Sequence, residues 1–316
     1  MRALVWDGKD LALQARVTES EASAGRAVVR VRLAGFCSTD LQIFKGYMGF
    51  RGIPGHEFVG EVIEGPAEWR GQRVVGEINF ACGTCEYCAR ALGRHCAQRK
   101  VMGILGAEGS FAELLSVPVQ NLHVVPEGVE DEKAVFTEPL AAAFEILDQI
   151  QLDPGHEVLV MGDGKLGMLC AQVLKLTGAR LTVLGKHRDK LALVKRTGVR
   201  TVLLEDWKPR LFDVVVEATG SESGLKLAMT AVRPRGTLIL KSTIAGEHNV
   251  SLAPLVIDEI TVIGSRCGLF PPALRALVEN SVSVTPLIER IYPLVEALAG
   301  VAHAARPGAR KILLRP

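Results

Sequence analysis

Aromatic residues are scarce in this 316-residue chain, at 5%, and charge of one sign is never massed. Lys and Arg number 37 against 35 Asp and Glu, spread along the chain to a net charge of +2. That balance argues against nucleic acid or an acidic membrane surface as a partner. No apolar run approaches the roughly 18–20 residues that a membrane span needs. The opening MRALVWDGKD meets a charge at Asp7 before a signal-type apolar core can form, so the chain reads as soluble and cytoplasmic. There is no internal repeat and no low-complexity segment. Seven cysteines, an odd number without a secretion signal, do not make a disulfide framework. They point to metal ligands or buried thiols.

What is present divides into two regimes, and the length suits two domains. From Met1 to about Leu140, short β-type runs (AVVRVRLAG, FVGEVIEG, RVVGEI, FAELLSV) alternate with Gly- and Pro-bearing turns. From about Asp153 the rhythm becomes strand, helix, strand: EVLVMG, KLGMLCAQVLKLTG, RLTVLG, DKLALVKRTG, VRTVLLE, FDVVVEATG, GLKLAMTAV, GTLILKS and ITVIGS. Continuous apolar runs separated by helical pattern predict parallel strands with crossovers. The stretch from VTPLIERIYPL to RKILLRP reads as β-like again, placed to pair back onto the first regime.

CGTCEYCARALGRHC sets cysteines at 82, 85, 88 and 96. Two overlapping Cys-x-x-Cys steps bring three thiolates to one ion, and the fourth closes a tetrahedron. Four sulfurs with no spare position describe a structural zinc site. Three other readings compete: a disulfide pair does not suit a cytoplasmic chain, iron–sulfur spacings differ from this one, and unligated surface thiols are the third. By itself this loop says nothing about chemistry.

Gly162-Asp163-Gly164-Lys165-Leu166-Gly167 follows the strand EVLV and opens a helix, the context a G-x-G-x-x-G phosphate turn requires. Free N–H groups at the helix start then bind the pyrophosphate. The end of the next strand usually carries an acid for the ribose hydroxyls. Here the sequence is Leu184-Gly185-Lys186-His187-Arg188, and the acid's place falls on Gly185. With that carboxylate absent, a repulsion is gone, and Lys186 and Arg188 can pair with a 2′-phosphate. The same residues also suit solvated charges at a helix start. NADP is the expectation over NAD.

Three separated fragments remain: Cys37-Ser38-Thr39-Asp40, Gly55-His56-Glu57 and Glu138-Pro139-Leu140. Their order, with the cysteine loop between the second and third and the glycine turn after, resembles the zinc-containing branch of the medium-chain dehydrogenase/reductase family. That branch holds alcohol, sorbitol, threonine and glucose dehydrogenases, and the resemblance covers essentially the whole chain. It implies an α/β protein with a GroES-like β-rich catalytic domain of residues 1–140 and 267–316, carrying a zinc lobe at about 80–97. Residues 141–266 would form a Rossmann domain with a doubly wound parallel sheet.

Carried across position by position, the resemblance makes Cys37 and His56 ligands of a catalytic zinc. Glu57 becomes a carboxylate that binds the metal or lies beside it. Glu138 falls where one type of alcohol dehydrogenase has a second cysteine and where sorbitol- and glucose-type enzymes have glutamate. A carboxylate there hardens the zinc and leaves room for a polyol oxygen, which favours a polyol or sugar substrate. Thr39 matches the hydroxyl that takes the substrate proton. Gln42 stands where several relatives carry a proton-relaying histidine, work that glutamine cannot do. Asp40 reads as structural, Cys170 as core, and Cys267 has no assigned role. His95 yields the fourth lobe position to Cys96. Lys311 matches a basic residue on the cofactor pyrophosphate.

The implied reaction is reversible hydride transfer between a hydroxyl-bearing carbon and NAD(P), with two zincs per chain, one catalytic and one structural. Relatives of this kind are commonly homodimers or homotetramers. Two rival readings are a zinc-free enone or quinone reductase and a non-catalytic NADP(H)-binding scaffold with one zinc. The first would lack the cysteine loop; the second has no need of Cys37, His56, Glu57 and Glu138 together.

Overall fold

A computed structural model describes residues 1–15, 25–243, 247 and 249–316. They divide into two compact units: Met1–Glu138, Phe270–Glu279 and Leu287–Pro316 in one, Pro139–Leu269 and Asn280–Pro286 in the other. Among the described residues, no helix is long and apolar enough to cross a membrane.

The first unit is built on a seven-stranded, mostly antiparallel sheet. Its long strand Arg26–Gly35 alternates where it faces solvent, burying Val29, Val31 and Leu33 and exposing Arg30 and Arg32. Towards Gly35 it becomes buried on both faces, because Phe58–Glu64 pairs on one side and Lys311–Arg315 on the other. The C-terminal stretch thus returns to the first regime. It is not wholly β: a helix, Ala297–Ala304, joins the parallel strands Ile288–Pro293 and Lys311–Arg315. A parallel pair needs such a crossover. The cysteine loop hangs from a small three-stranded sheet of Asn79–Phe80, Lys100–Met102 and Gly106–Ala107.

The second unit carries six parallel strands in the spatial order Arg200–Leu203, Arg180–Gly185, Glu157–Met161, Phe212–Glu217, Val232–Leu240 and Thr261–Gly264. Numbered along the chain this is 3-2-1-4-5-6, the doubly wound order of dinucleotide-binding folds. The central runs Val158–Met161 and Leu181–Gly185 are buried throughout, which explains why they are continuously apolar. Cys170 is buried in the first crossover helix, Lys165–Lys175, and burial pushes its thiol up to about 11.

Candidate active site and metal centres

The strand Arg26–Gly35 ends beside the strand Phe58–Glu64, and the segments adjoining those two ends carry the candidate chemistry. Cys37 is the N-cap of the helix Ser38–Ile43, and Asp40, three residues on, reaches back to accept its N–H at 2.7 Å. This is a capping-box carboxylate satisfying a helix-start donor. The other oxygen of the same carboxylate lies 3.2 Å from His56 Nδ1, leaving Nε2 as the nitrogen for another partner. Asp40 and His56 are both buried. Burial works against the imidazolium, yet the Asp40 carboxylate and the Cys37 sulfur outweigh it and hold His56 well above the usual histidine range.

The ligating atoms of Cys37, His56 and Glu57 all lie within 4.8 Å of one another. Glu57 is buried, and its Oε2 accepts from the ammonium of Lys311, itself 1% exposed. Lys311 Nζ also donates to the Phe36 carbonyl at 3.3 Å and sits over the Phe136 ring. Glu57 Oε1 is buried with no hydrogen-bond partner among the described residues. A thiol, an imidazole and a carboxyl converging, with Glu57 Oε1 buried and unpartnered, form a donor set that suits a divalent cation. Thr39 Oγ1 lies 3.7 Å from Cys37 Sγ, so a hydroxyl stands at the edge of this centre.

The cysteine loop closes a second centre. Its sulfurs are separated by 3.9 Å (Cys82–Cys88), 3.5 Å (Cys85–Cys88), 3.7 Å (Cys85–Cys96) and 3.5 Å (Cys82–Cys96). Tetrahedral zinc with Zn–S bonds of about 2.3 Å sets sulfurs about 3.8 Å apart, so the loop is shaped for that ion and contains no disulfide. The N–H and hydroxyl of Thr84 draw Cys82 down to about 6, whereas burial pushes Cys88 up to about 11.

In the second unit, Gly162 has φ +115°, and a Cβ there would meet the Ala218 carbonyl at 2.5 Å. A Cβ on Gly167 would lie 2.0 Å from the Gly162 carbonyl oxygen. Gly164, the N-cap of the helix Lys165–Lys175, has open space instead, with nothing within 4 Å of a Cβ. The turn is closed where helix meets strand and open at Gly164, where the helix begins.

Comparison with known proteins gives the same architecture. The alcohol dehydrogenase GroES-like domain matches residues 23–127, and the zinc-binding dehydrogenase domain matches residues 166–283. The sorbitol dehydrogenase of Halalkalibacterium halodurans is 30% identical over 91% of this chain and 91% of its own length. D-arabinitol dehydrogenase 1 of Uromyces fabae is 29% identical over 92% of this chain and 89% of its own. The crystal structure of the short chain alcohol dehydrogenase rspB of Escherichia coli CFT073, complexed with NADH, superposes with TM-score 0.87 and 25% identity, covering 100% of this chain and 99% of that one. The chain belongs to the zinc-containing medium-chain dehydrogenase family. As a member it is an NAD(P)-linked oxidoreductase of the alcohol dehydrogenase type.

Within this dehydrogenase, not every expected residue joins the centre. Glu138 lies outside the Cys37–His56–Glu57 trio; it is half-buried in the first turn of the helix Thr137–Gln149, where the helix dipole favours an acid. Lys311, expected on the cofactor pyrophosphate, is instead enclosed with Glu57 in the first unit. Arg188, expected on a 2′-phosphate, pairs with Glu205 on an exposed surface. Gly185 does not leave the end of its strand free of carboxylate, because the side chain of Asp163 lies over it.

Sequence reasoning read Asp40 only as structural and missed what Asp163 and Gly35 do. Asp40 stands three residues after an N-cap, the capping-box spacing, and that signal was available. Gly35 carried none: a Cβ there would lie 2.3 Å from Glu57 Oε2 and 3.1 Å from Lys311 Cε, so glycine is what lets the buried pair form.

Proposed function

We propose that this enzyme oxidises a hydroxyl of a polyol or sugar alcohol to the carbonyl, reversibly, at the Cys37–His56–Glu57 centre, while Cys82, Cys85, Cys88 and Cys96 hold a structural zinc. The convergence of those three donors, with Glu57 Oε1 buried and unpartnered, carries the reading. A zinc ion bound there supplies a Lewis acid for the substrate oxygen.

The surrounding side chains have separate tasks. Asp40 fixes the His56 ring through Nδ1 and so presents Nε2 to the centre. Lys311 neutralises one oxygen of Glu57 and leaves the other for the centre. Thr39 accepts the substrate proton, and water carries it onward, since Gln42 cannot relay it. Glu138 would shape the substrate side of the site from its helix turn. The Gly162–Gly167 turn holds the pyrophosphate on the N–H groups of Lys165 and Leu166. Relatives named for sorbitol and D-arabinitol favour a polyol over a simple alcohol. The expectation of NADP rested on a carboxylate-free Gly185 and on Lys186 and Arg188; Asp163 laid over Gly185 and Glu205 paired with Arg188 weigh against it, while the Lys186 side chain is exposed. We expect a cytoplasmic homodimer or homotetramer acting on small molecules, with light scattering as the check on assembly.

The test joins metal analysis to a substrate screen. Zinc is counted by mass spectrometry, and alcohols, polyols and sugars are assayed with NAD and with NADP. Two zincs per chain and turnover of polyols are expected. One zinc with no turnover of any substrate would leave a scaffold; no zinc with enone or quinone reduction would leave a reductase.

A further inference from the structure

Asp163 occupies the first variable position of the glycine turn, yet its side chain faces the neighbouring strand end and not the helix start. Its Oδ2 accepts the backbone N–H of Lys186 at 2.7 Å and of His187 at 2.6 Å. Its Oδ1 lies 3.1 Å from His187 Nδ1. A Cβ built on Gly185 would sit 2.6 Å from both Cβ and Oδ2 of Asp163. Gly185 is therefore the residue over which this carboxylate is laid, and no side chain fits there while Asp163 is present.

Position 185 ends the second strand of the doubly wound sheet, where a dinucleotide-binding fold normally offers its ribose acid. We infer that the acid has been moved: Asp163 supplies from the glycine turn the carboxylate that reads the adenosine ribose, and the enzyme selects NAD(H) over NADP(H). This rests on the reading of Gly162–Gly167 as the dinucleotide turn. Oδ2 is filled by two N–H donors, while Oδ1 keeps a lone pair for a ribose hydroxyl. A 2′-phosphate would compete for the same two N–H groups and bring its charge against Asp163. Two of the three cations nearby are already engaged, and the Lys186 side chain is exposed. Arg188 pairs with the Glu205 carboxylate, and the His187 ring faces Asp163 itself.

Isothermal titration of the zinc-loaded full chain with NADH and with NADPH, without substrate, tests the assignment. Wild type should bind NADH more tightly by at least about tenfold, because like charges in one pocket are strongly disfavoured. Asp163→Asn should shrink that ratio by about tenfold or more, mostly through a gain for NADPH. The double variant Asp163→Gly/Gly185→Asp, which returns the carboxylate to the strand end, should keep the NADH preference. It decides the question even if the single variant folds poorly. Equal or tighter binding of NADPH by wild type overturns the assignment, as does a ratio unmoved by Asp163→Asn. Failure of wild type to bind either nucleotide would sink the dinucleotide turn itself, and the assignment with it.

Discussion

The two candidate metal centres are built on opposite plans. The cysteine lobe takes all four donors from one short loop, residues 82–96, and three of the four cysteines are partly exposed. The Cys37–His56–Glu57 centre takes its donors from chain segments beside two paired strands. Each of its donor residues is held by another group: Cys37 and His56 by Asp40, Glu57 by Lys311. A closed tetrahedral site needs only a loop that can wrap an ion. A site that must admit a substrate cannot saturate its ion with protein donors, so it relies on a surrounding network to keep fewer ligands in place. The first site is written locally; the second depends on the fold.

The strongest break in the comparison is removal of one donor from each centre. Cys37→Ala or His56→Ala should lower kcat/KM by about ten-thousandfold, the several kcal/mol that a Lewis acid supplies, and leave one zinc per chain. Cys85→Ser should also leave one zinc, but with its loss showing mainly in thermal stability. Equal activity losses in the two sets would erase the distinction. Next in size is the buried ion pair. Lys311→Met strands the Glu57 carboxylate in a dry interior and should destabilise the chain by about 3–5 kcal/mol in denaturant unfolding. Adding Glu57→Gln should recover much of that; if it recovers nothing, the stranded charge is not the cause. Smaller again is Asp40→Asn. The amide would present N–H to His56 Nδ1 and turn the ring's proton to Nε2, weakening zinc at that centre by about 10–100-fold. Zinc in the lobe should be unmoved.

This contrast also decides what the sequence could reveal. Cys82, Cys85, Cys88 and Cys96 announce themselves because their spacing is their geometry. The parallel sheet was legible for a similar reason, since the buried runs Val158–Met161 and Leu181–Gly185 have no solvent face to interrupt them. Cys37 and His56 were legible only through family resemblance. Lys311 and Glu57 meet across 254 residues of chain, and no local pattern encodes such a pairing. Asp163 was visible as a letter, but its direction depends on Gly185 lying beneath it. Where two side chains compete for one space, the sequence names the residues and not the winner. The helices Phe270–Val278 and Ala297–Ala304 went unread; the first carries a clear stripe in Phe270, Ala273, Leu274 and Leu277, whereas the second is short and apolar nearly all round.

The finest test of the comparison lies within the lobe. If the lobe is self-sufficient, its metal affinity should respond to its own small residues and to nothing at the other centre. Thr84 is the sharpest probe, because its hydroxyl lies 3.6 Å from Cys82 Sγ and, with its N–H, draws that thiol down to about 6. Thiolate, not thiol, binds zinc, so above about pH 6 Cys82 is ready and below it a proton must first be displaced. Thr84→Val keeps the shape and the N–H but removes the hydroxyl donor. The Cys82 transition should then move upward, and zinc affinity near neutral pH should fall by about fivefold or less, since one weak hydrogen bond to sulfur has been lost. Chelator competition across pH 5–8 measures this, with the lobe signal isolated in the Cys37→Ala background. Polyol turnover by the single Thr84→Val variant should stay at the wild-type level. A matching fall in turnover would mean that the two centres are coupled, and that the lobe does more than hold itself together.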